Sequence, residues 1–155
     1  MNLIRFLRNN DRNKWKDFDV IYEFEVEGKI IGKERPRVNM NTGYVYTPNK
    51  TKDYEFWIQQ CFKIKYPCFT QIEGRVCVEI IAYLAIPKNT SKKKTELMLT
   101  NEISPTKKPD VDNIAKSILD AMNGFVFKDD NQVSKISVEK RFAENEKVFV
   151  RVIEY

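Results

Sequence analysis

Histidine is absent from this chain, and that omission removes more chemistry than any other feature of the composition. A Ser-His-Asp triad, a Cys-His pair, a zinc-imidazole site and a histidine general base are all excluded. Catalysis must then rest on carboxylates, Lys, Arg, Tyr or a metal held by oxygen ligands, and hard oxygen donors select Mg²⁺, Mn²⁺ or Ca²⁺. Cysteine is scarce as well. Cys61, Cys68 and Cys77 are odd in number and show no Cys-x-x-Cys spacing, which argues against a disulfide framework and a zinc site and leaves reduced thiols packed among apolar neighbours. No apolar run reaches the ~20 residues needed to cross a bilayer, and the opening MNLIRFLRNNDRNKWKDF has no continuous apolar signal core. A cytoplasmic protein without a membrane association is expected.

What is present suits one core. The 155 residues are 42% apolar and 12% aromatic, enough for a single domain. Lys and Arg number 27 against 22 Asp and Glu, a net charge of +5, which mildly favours a polyanionic partner. Residues 1–20 are polar, mixed in charge and carry no recognisable role, so the domain is expected over 21–155. VIYEFEVEGKI alternates as a strand, with Gly28 and Lys29 in a turn. The IGKERPRVNMNTGYVYTP stretch reads as a loop with cations at Lys33, Arg35 and Arg37, an Asn-Thr-Gly turn and a short strand Tyr44-Val45-Tyr46. From Thr51, a candidate N-cap, apolar residues recur at helical spacing as far as Pro67. RVCVEIIAYLAIP, apolar nearly throughout, reads as a central strand. A long basic connection with Lys92, Lys93, Lys94, Lys107 and Lys108 follows, then the helix VDNIAKSILDAMNG with Gly124 as its C′ residue. VSKISVEKRF and KVFVRVIEY alternate across Ala-Glu-Asn-Glu and predict a C-terminal β-hairpin. The expected fold is α+β, a single compact domain with a mixed sheet and two main helices packed on it.

The segment from Asp110 to Gln132 concentrates the acids: Asp110, Asp112, Asp120, Asp129 and Asp130, with Asn113, Lys116 and Gln132 among them. Asp110 and Asp112 stand at the helix start, where the dipole and free N–H groups favour the ionised form. The helix carries the chain about 18 Å at ~1.5 Å per residue, and six extended residues would cover roughly 20 Å coming back. A return leg alongside the helix would bring Asp130 near Asp110 and Asp112, and three gathered carboxylates call for a divalent cation. The same residues also admit a structural account: Asp110 or Asp112 as a cap, Asp112–Lys116 and Lys116–Asp120 as surface pairs, and Asp129-Asp130-Asn131 as a turn. An EF-hand is excluded, because Ile114 occupies the next ligand position and no glycine follows it.

PDVDNIAKSILDAMNGFVFKDDNQV resembles, almost position by position, the signature Pro-Asp-x-Asp-Asn-x-x-Lys…Leu-Asp-Ala-Leu…Asp-Asp-x-Gln of the RusA-type Holliday junction resolvases, a family often carried by prophages. Met122 replaces a leucine. GKERPR…GYVYTPNKTKDYE is similar to the family's N-terminal half. The resemblance implies that Asp110, Asp112 and Asp130 bind Mg²⁺, with Mn²⁺ as the substitute, and that Lys116 assists catalysis. Asp129, Asn113 and Gln132 fall on or beside signature positions. It further implies a homodimer that resolves a four-way DNA junction by paired symmetric nicks in recombination and repair. One or two metal ions can activate water, polarise phosphorus and stabilise the leaving oxygen without histidine. Phosphate contacts are expected from Lys33, Arg35, Arg37, Lys92, Lys93, Lys94, Lys107 and Lys108. The alternatives are a Mg²⁺-dependent nuclease on other branched DNA and a catalytically silent DNA-binding protein.

Overall fold

The computed structural model describes residues 19–154, so most of the expected N-terminal extension lies outside the described residues. The chain runs β1 (Asp19–Glu27), β2 (Arg37–Val38), β3 (Val45–Tyr46), α1 (Asn49–Lys65), β4 (Val76–Ala85), α2 (Lys92–Leu99), α3 (Val111–Met122), a 3₁₀ turn (Asp130–Gln132), β5 (Val133–Ala143) and β6 (Lys147–Glu154). Strands β1, β6, β4 and β5 lie side by side in that order. β1–β6 and β6–β4 are antiparallel, while β4–β5 is parallel. The expected class, α+β with a mixed sheet and two main helices on it, holds.

Period-two alternation sorts the sheet into two faces. Tyr22, Phe24 and Val26 of β1, Val148, Val150 and Val152 of β6, and Val76, Val78, Ile80, Ala82 and Leu84 of β4 are buried on one face. The other face carries Arg151 paired with Glu23 and Glu79, and Lys147 paired with Glu25. Helices α1 and α3 cover the apolar face and pack on one another. β4 is buried along most of its length with both edges hydrogen-bonded, as its near-continuous apolar run predicts. It therefore has no free edge to offer a second copy.

Three local expectations change. Strands β5 and β6 follow one another closely in sequence but do not pair, because β4 lies between them; alternation reports which face a side chain takes and says nothing of which strand is its neighbour. Thr51 is not the N-cap of α1, which starts after Pro48; Thr51 is fully buried and its hydroxyl accepts the Glu34 N–H at 3.4 Å. Of the three thiols, Cys77 is buried and Cys61 half-buried, with burial pushing both above the usual thiol value, whereas Cys68 is exposed.

Phe62 is the hub of the helix–sheet contact. Fully buried on α1, it meets the rings of Tyr22, Phe24, Tyr66, Phe69 and Phe125 at centroid distances between 5.1 and 5.5 Å, mostly edge-to-face. Tyr66 continues the contact to the sheet edge: its hydroxyl accepts the Glu23 N–H at 3.0 Å and donates to the Glu23 carbonyl at 2.9 Å. The outer edge of β1 is thereby partly sealed. Phe62→Ala is expected to cost roughly 3–5 kcal/mol in urea unfolding, whereas truncating the exposed Ile64 on the same helix should change stability by less than about 0.5 kcal/mol.

Candidate active site at the two ends of helix α3

Helix α3 is held by its apolar stripe. Ile114, Ile118, Ala121 and Met122 are at most 1% exposed, as the 3.6 period predicts, and Asn123 with Gly124 ends the helix, Gly124 taking a φ of +68° that favours glycine. Residues 31–33 cross the first half of the helix. The Ser117 hydroxyl donates to the Ile31 carbonyl at 3.0 Å, and the Lys33 N–H donates to the Asn113 carbonyl at 2.9 Å. Between those two bonds, a Cβ on Gly32 would stand 3.0 Å from the Cβ atoms of Asn113 and Pro109, so glycine is what lets this loop segment lie against the helix start.

Asp110 occupies the N-cap position but its side chain makes no capping bond, and Asp112 sits in the first turn. Both carboxylates are exposed. Lys116 stands one turn on, its Nζ 3.5 Å from Asp112 in a loose, solvent-exposed pair. Lys140, on β5, reaches under this end of the helix and donates to the carbonyls of Lys107 at 2.5 Å and Pro109 at 3.2 Å. Its clamp on the peptide before Asp110 was not anticipated. The signal was nevertheless present: Ile136, Val138 and Lys140 share a strand face, and a lysine breaks that apolar alternation.

The third aspartate is elsewhere. Past Gly124 the chain stays beside the start of β4, with the Ile72 N–H bonded to the Val126 carbonyl at 2.9 Å and the Gln132 amide donating to the carbonyls of Ile72 at 3.1 Å and Gly74 at 2.8 Å. The way back is β5, which begins three residues after Asp130, pairs Val133 with Val76 and Lys140 with Ala82. Two rulers agree on the gap. The 12 residues of α3 span about 18 Å, and seven residues of strand separate Val133 from the Lys140 clamp by roughly 23 Å. Among the described residues no three His, Cys, Asp or Glu side chains gather closely enough to hold a metal ion. The expectation that Asp130 folds back onto Asp110 and Asp112 is therefore not met within one chain, because Phe125 and Val126 accept from Gln71 and Ile72, and Gln132 donates to Ile72 and Gly74, so this segment does not run back along the helix.

Asp129 and Gln132 have structural work. The Asp129 carboxylate accepts the Asn131 N–H at 2.8 Å and the Gln132 side chain accepts the Asp129 N–H at 2.9 Å, a capping box on a short turn. That box leaves Asp130 pointing outward and exposed. Asn113 is half-buried against residues 32–33 and contributes its carbonyl there.

Lys33 is a correction among the cations. Its Nζ lies 2.5 Å from Glu55 and 2.7 Å from Asp120, so it ties the loop to α1 and α3 rather than presenting charge to a phosphate. Arg35 and Arg37 remain exposed, Arg37 at 3.0 Å from Glu34, and Lys92, Lys93, Lys94, Lys107 and Lys108 are exposed as well. Burial alone would lower the Lys33 ammonium, but its hydrogen bonds to Asp120 and Glu55 and their charges outweigh burial and hold it above its usual value of 10.5. A raised folded-state value means stability present below pH 10.5 and lost as pH climbs through the higher folded value. Lys33→Met should accordingly cost about 1–2 kcal/mol at neutral pH and flatten that alkaline loss, read from urea midpoints between roughly pH 8 and pH 11.5.

No helix among the described residues is long and apolar enough to cross a membrane. The chain is 35% identical over 136 residues to the uncharacterized protein YqaN of Bacillus subtilis (strain 168), a match that covers 85% of this chain and 95% of that protein. Residues 27–153 match the family described as endodeoxyribonuclease RusA. An exposed acidic pair at a helix start, a lysine one turn on and a second acidic pair beyond the helix thus belong to a chain matched almost end to end, and the protein is a member of the RusA endodeoxyribonuclease family.

Proposed function

We propose that this protein is a cytoplasmic, Mg²⁺-dependent endonuclease, of the type carried by prophages, that resolves Holliday junctions as a homodimer during DNA recombination and repair. One observation carries the reading: Asp110 and Asp112 stand exposed at the start of α3, with no capping bond to the Asp110 carboxylate and only a loose pair to that of Asp112. The donor chemistry fits a hard divalent cation, since the candidate ligands are carboxylate oxygens and the chain has no histidine. Asp110 and Asp112 would hold the ion, and when bound it would supply charge neutralisation and polarisation of the scissile phosphate.

The remaining tasks fall to side chains. Lys116, exposed and loosely paired with Asp112, turns to the phosphate and stabilises the negative charge that develops there. Lys140 holds the Lys107–Pro109 backbone so that Asp110 keeps its place at the helix start. Lys107, Lys108, Arg35 and Arg37 offset phosphate repulsion by the aspartates. Lys92, Lys93 and Lys94 occupy the first turn of α2, where the helix dipole disfavours cations and which holds no acid of its own. A cost of that kind is reasonable where the charges serve a polyanion.

The distance from Asp130 to Asp110 and Asp112 favours a site shared between copies, in which Asp130 of one chain completes the acidic set of the other. Two-fold symmetry then yields two such sites, suited to paired nicks in strands of like polarity. Asp112→Asn should lower Mg²⁺-dependent cleavage of a four-way junction by a hundredfold or more, an order-of-magnitude expectation for a lost metal ligand, while junction binding in EDTA stays equal or tightens. Normal nicking by that variant would sink the metal-site assignment; flap and linear substrates run in parallel separate junction resolution from general branched-DNA cleavage.

Co-expression of Asp112→Asn with Asp130→Asn tests the sharing. A mixed dimer with shared sites has one site doubly altered and one intact, so it should nick a cruciform plasmid to the open circle without linearising it. Sites confined to single chains would leave the mixture as inactive as either variant alone.

A further inference from the structure

The β2–β3 hairpin belongs to no part of the core, and apart from Arg37 its side chains are left unused by the chemistry above. It leaves the body of the protein directly after Lys33, which is locked to Glu55 and Asp120, and after Gly32, which lies against the start of α3 beside Pro109 and Asn113. Its root is therefore next to Asp110 and Asp112. The pairs Arg37–Tyr46 and Val38–Val45 form the ribbon, and the Asn39 N–H bonded to the Tyr44 carbonyl at 2.8 Å extends it by one step. Alternation then places Arg37, Tyr46 and Tyr44 on one face and Val38 and Val45 on the other.

A ribbon this short has no interior of its own, and its large side chains lie in solvent: Met40 is 91% exposed, Tyr44 69% and Tyr46 40%. Exposed rings and a methionine on a projecting arm ask for an occupant. Charge selects which. Leaving out Lys33, which is already paired, residues 34–52 have four cations, Arg35, Arg37, Lys50 and Lys52, and one acid, Glu34. Rings interleaved with guanidinium groups suit a nucleic-acid base flanked by its phosphates. Bases inside a duplex hide their faces in the stack, whereas a branch point leaves some of them open.

We propose that this hairpin is a stacking arm: Tyr44 and Tyr46 take up unstacked bases at the DNA branch point, and Arg35 and Arg37 hold the flanking phosphates. The proposal rests on the endonuclease reading and adds to it the element that tells a junction from a linear duplex. The arm and the acidic pair share the Gly32–Asn113 contact, so a base held on the arm places the strand beside it close to Asp110 and Asp112.

The test compares the wild-type chain with the Tyr44→Ala/Tyr46→Ala and Tyr44→Phe/Tyr46→Phe double variants, binding a four-way junction and a linear duplex of the same sequence in EDTA. Both tyrosines are exposed, so neither pair should disturb folding, which far-UV circular dichroism and the thermal midpoint check. The alanine pair should weaken junction binding about tenfold or more, leave duplex binding within twofold, and be rescued by the phenylalanine pair. Equal weakening on both DNAs would reduce the arm to phosphate contacts and overturn the proposal, as would no change on either. A fall in mass by light scattering with the alanine pair would also overturn it, because the arm would then cover a second copy of the chain. Wild-type protein that binds the junction but never cuts it in Mg²⁺ would refute the endonuclease reading while leaving the binding comparison intact.

Discussion

Helix α3 cannot slide, and the layout of the candidate site follows from that constraint. Ile114, Ile118, Ala121 and Met122 are buried on one side, and the Ile31–Lys33 backbone is hydrogen-bonded across the other. Slipping the helix by one residue would turn its stripe by about 100° and expose the apolar groups it now buries. The helix therefore acts as a rigid spacer with an acid pair at its start and another just beyond its end. Its length contributes to their separation, and the two acid pairs do not meet within one chain.

Charge is sorted on the same scaffold according to access to solvent. Lys33, Glu55 and Asp120 form a half-buried cluster that holds loop, α1 and α3 together, a use in which the charges satisfy one another and become unavailable to a ligand. Asp110, Asp112 and Asp130 are exposed instead, and are the candidate ligands. Asp129 makes the contrast clear: it differs from Asp130 by one position in sequence, yet its carboxylate is committed to closing the turn. The turn's geometry divides a structural acid from a candidate ligand.

The sheet edges are treated unequally. Tyr66 bonds the backbone of β1 at Glu23, whereas β5 forms the other end of the sheet with Ile136 41% exposed. β5 also joins the two halves of the candidate site, since it begins just past Asp130 and carries the Lys140 that grips the peptide before Asp110. A shift of that strand would be felt at both acid pairs, which gives the edge a mechanical role beyond pairing with β4.

Much of this was legible in the residues. The absence of histidine, the apolar run of β4, the stripe and terminal glycine of α3 and the spacing of Asp110, Asp112 and Lys116 all express short-range rules, and short-range rules are written along a chain in order. Sequence alone determined the class of fold, the elements that bear the acids and the oxygen-ligand chemistry open to them. Tertiary structure decided the rest: that β4 separates β5 from β6, that Lys33 turns inward to Glu55 and Asp120, that Lys140 clamps the approach to Asp110, and that Asp130 stays at the far end of α3. Each depends on which distant segment packs alongside, a choice made by burial and backbone pairing across scores of residues, and periodicity in one segment does not name its partner.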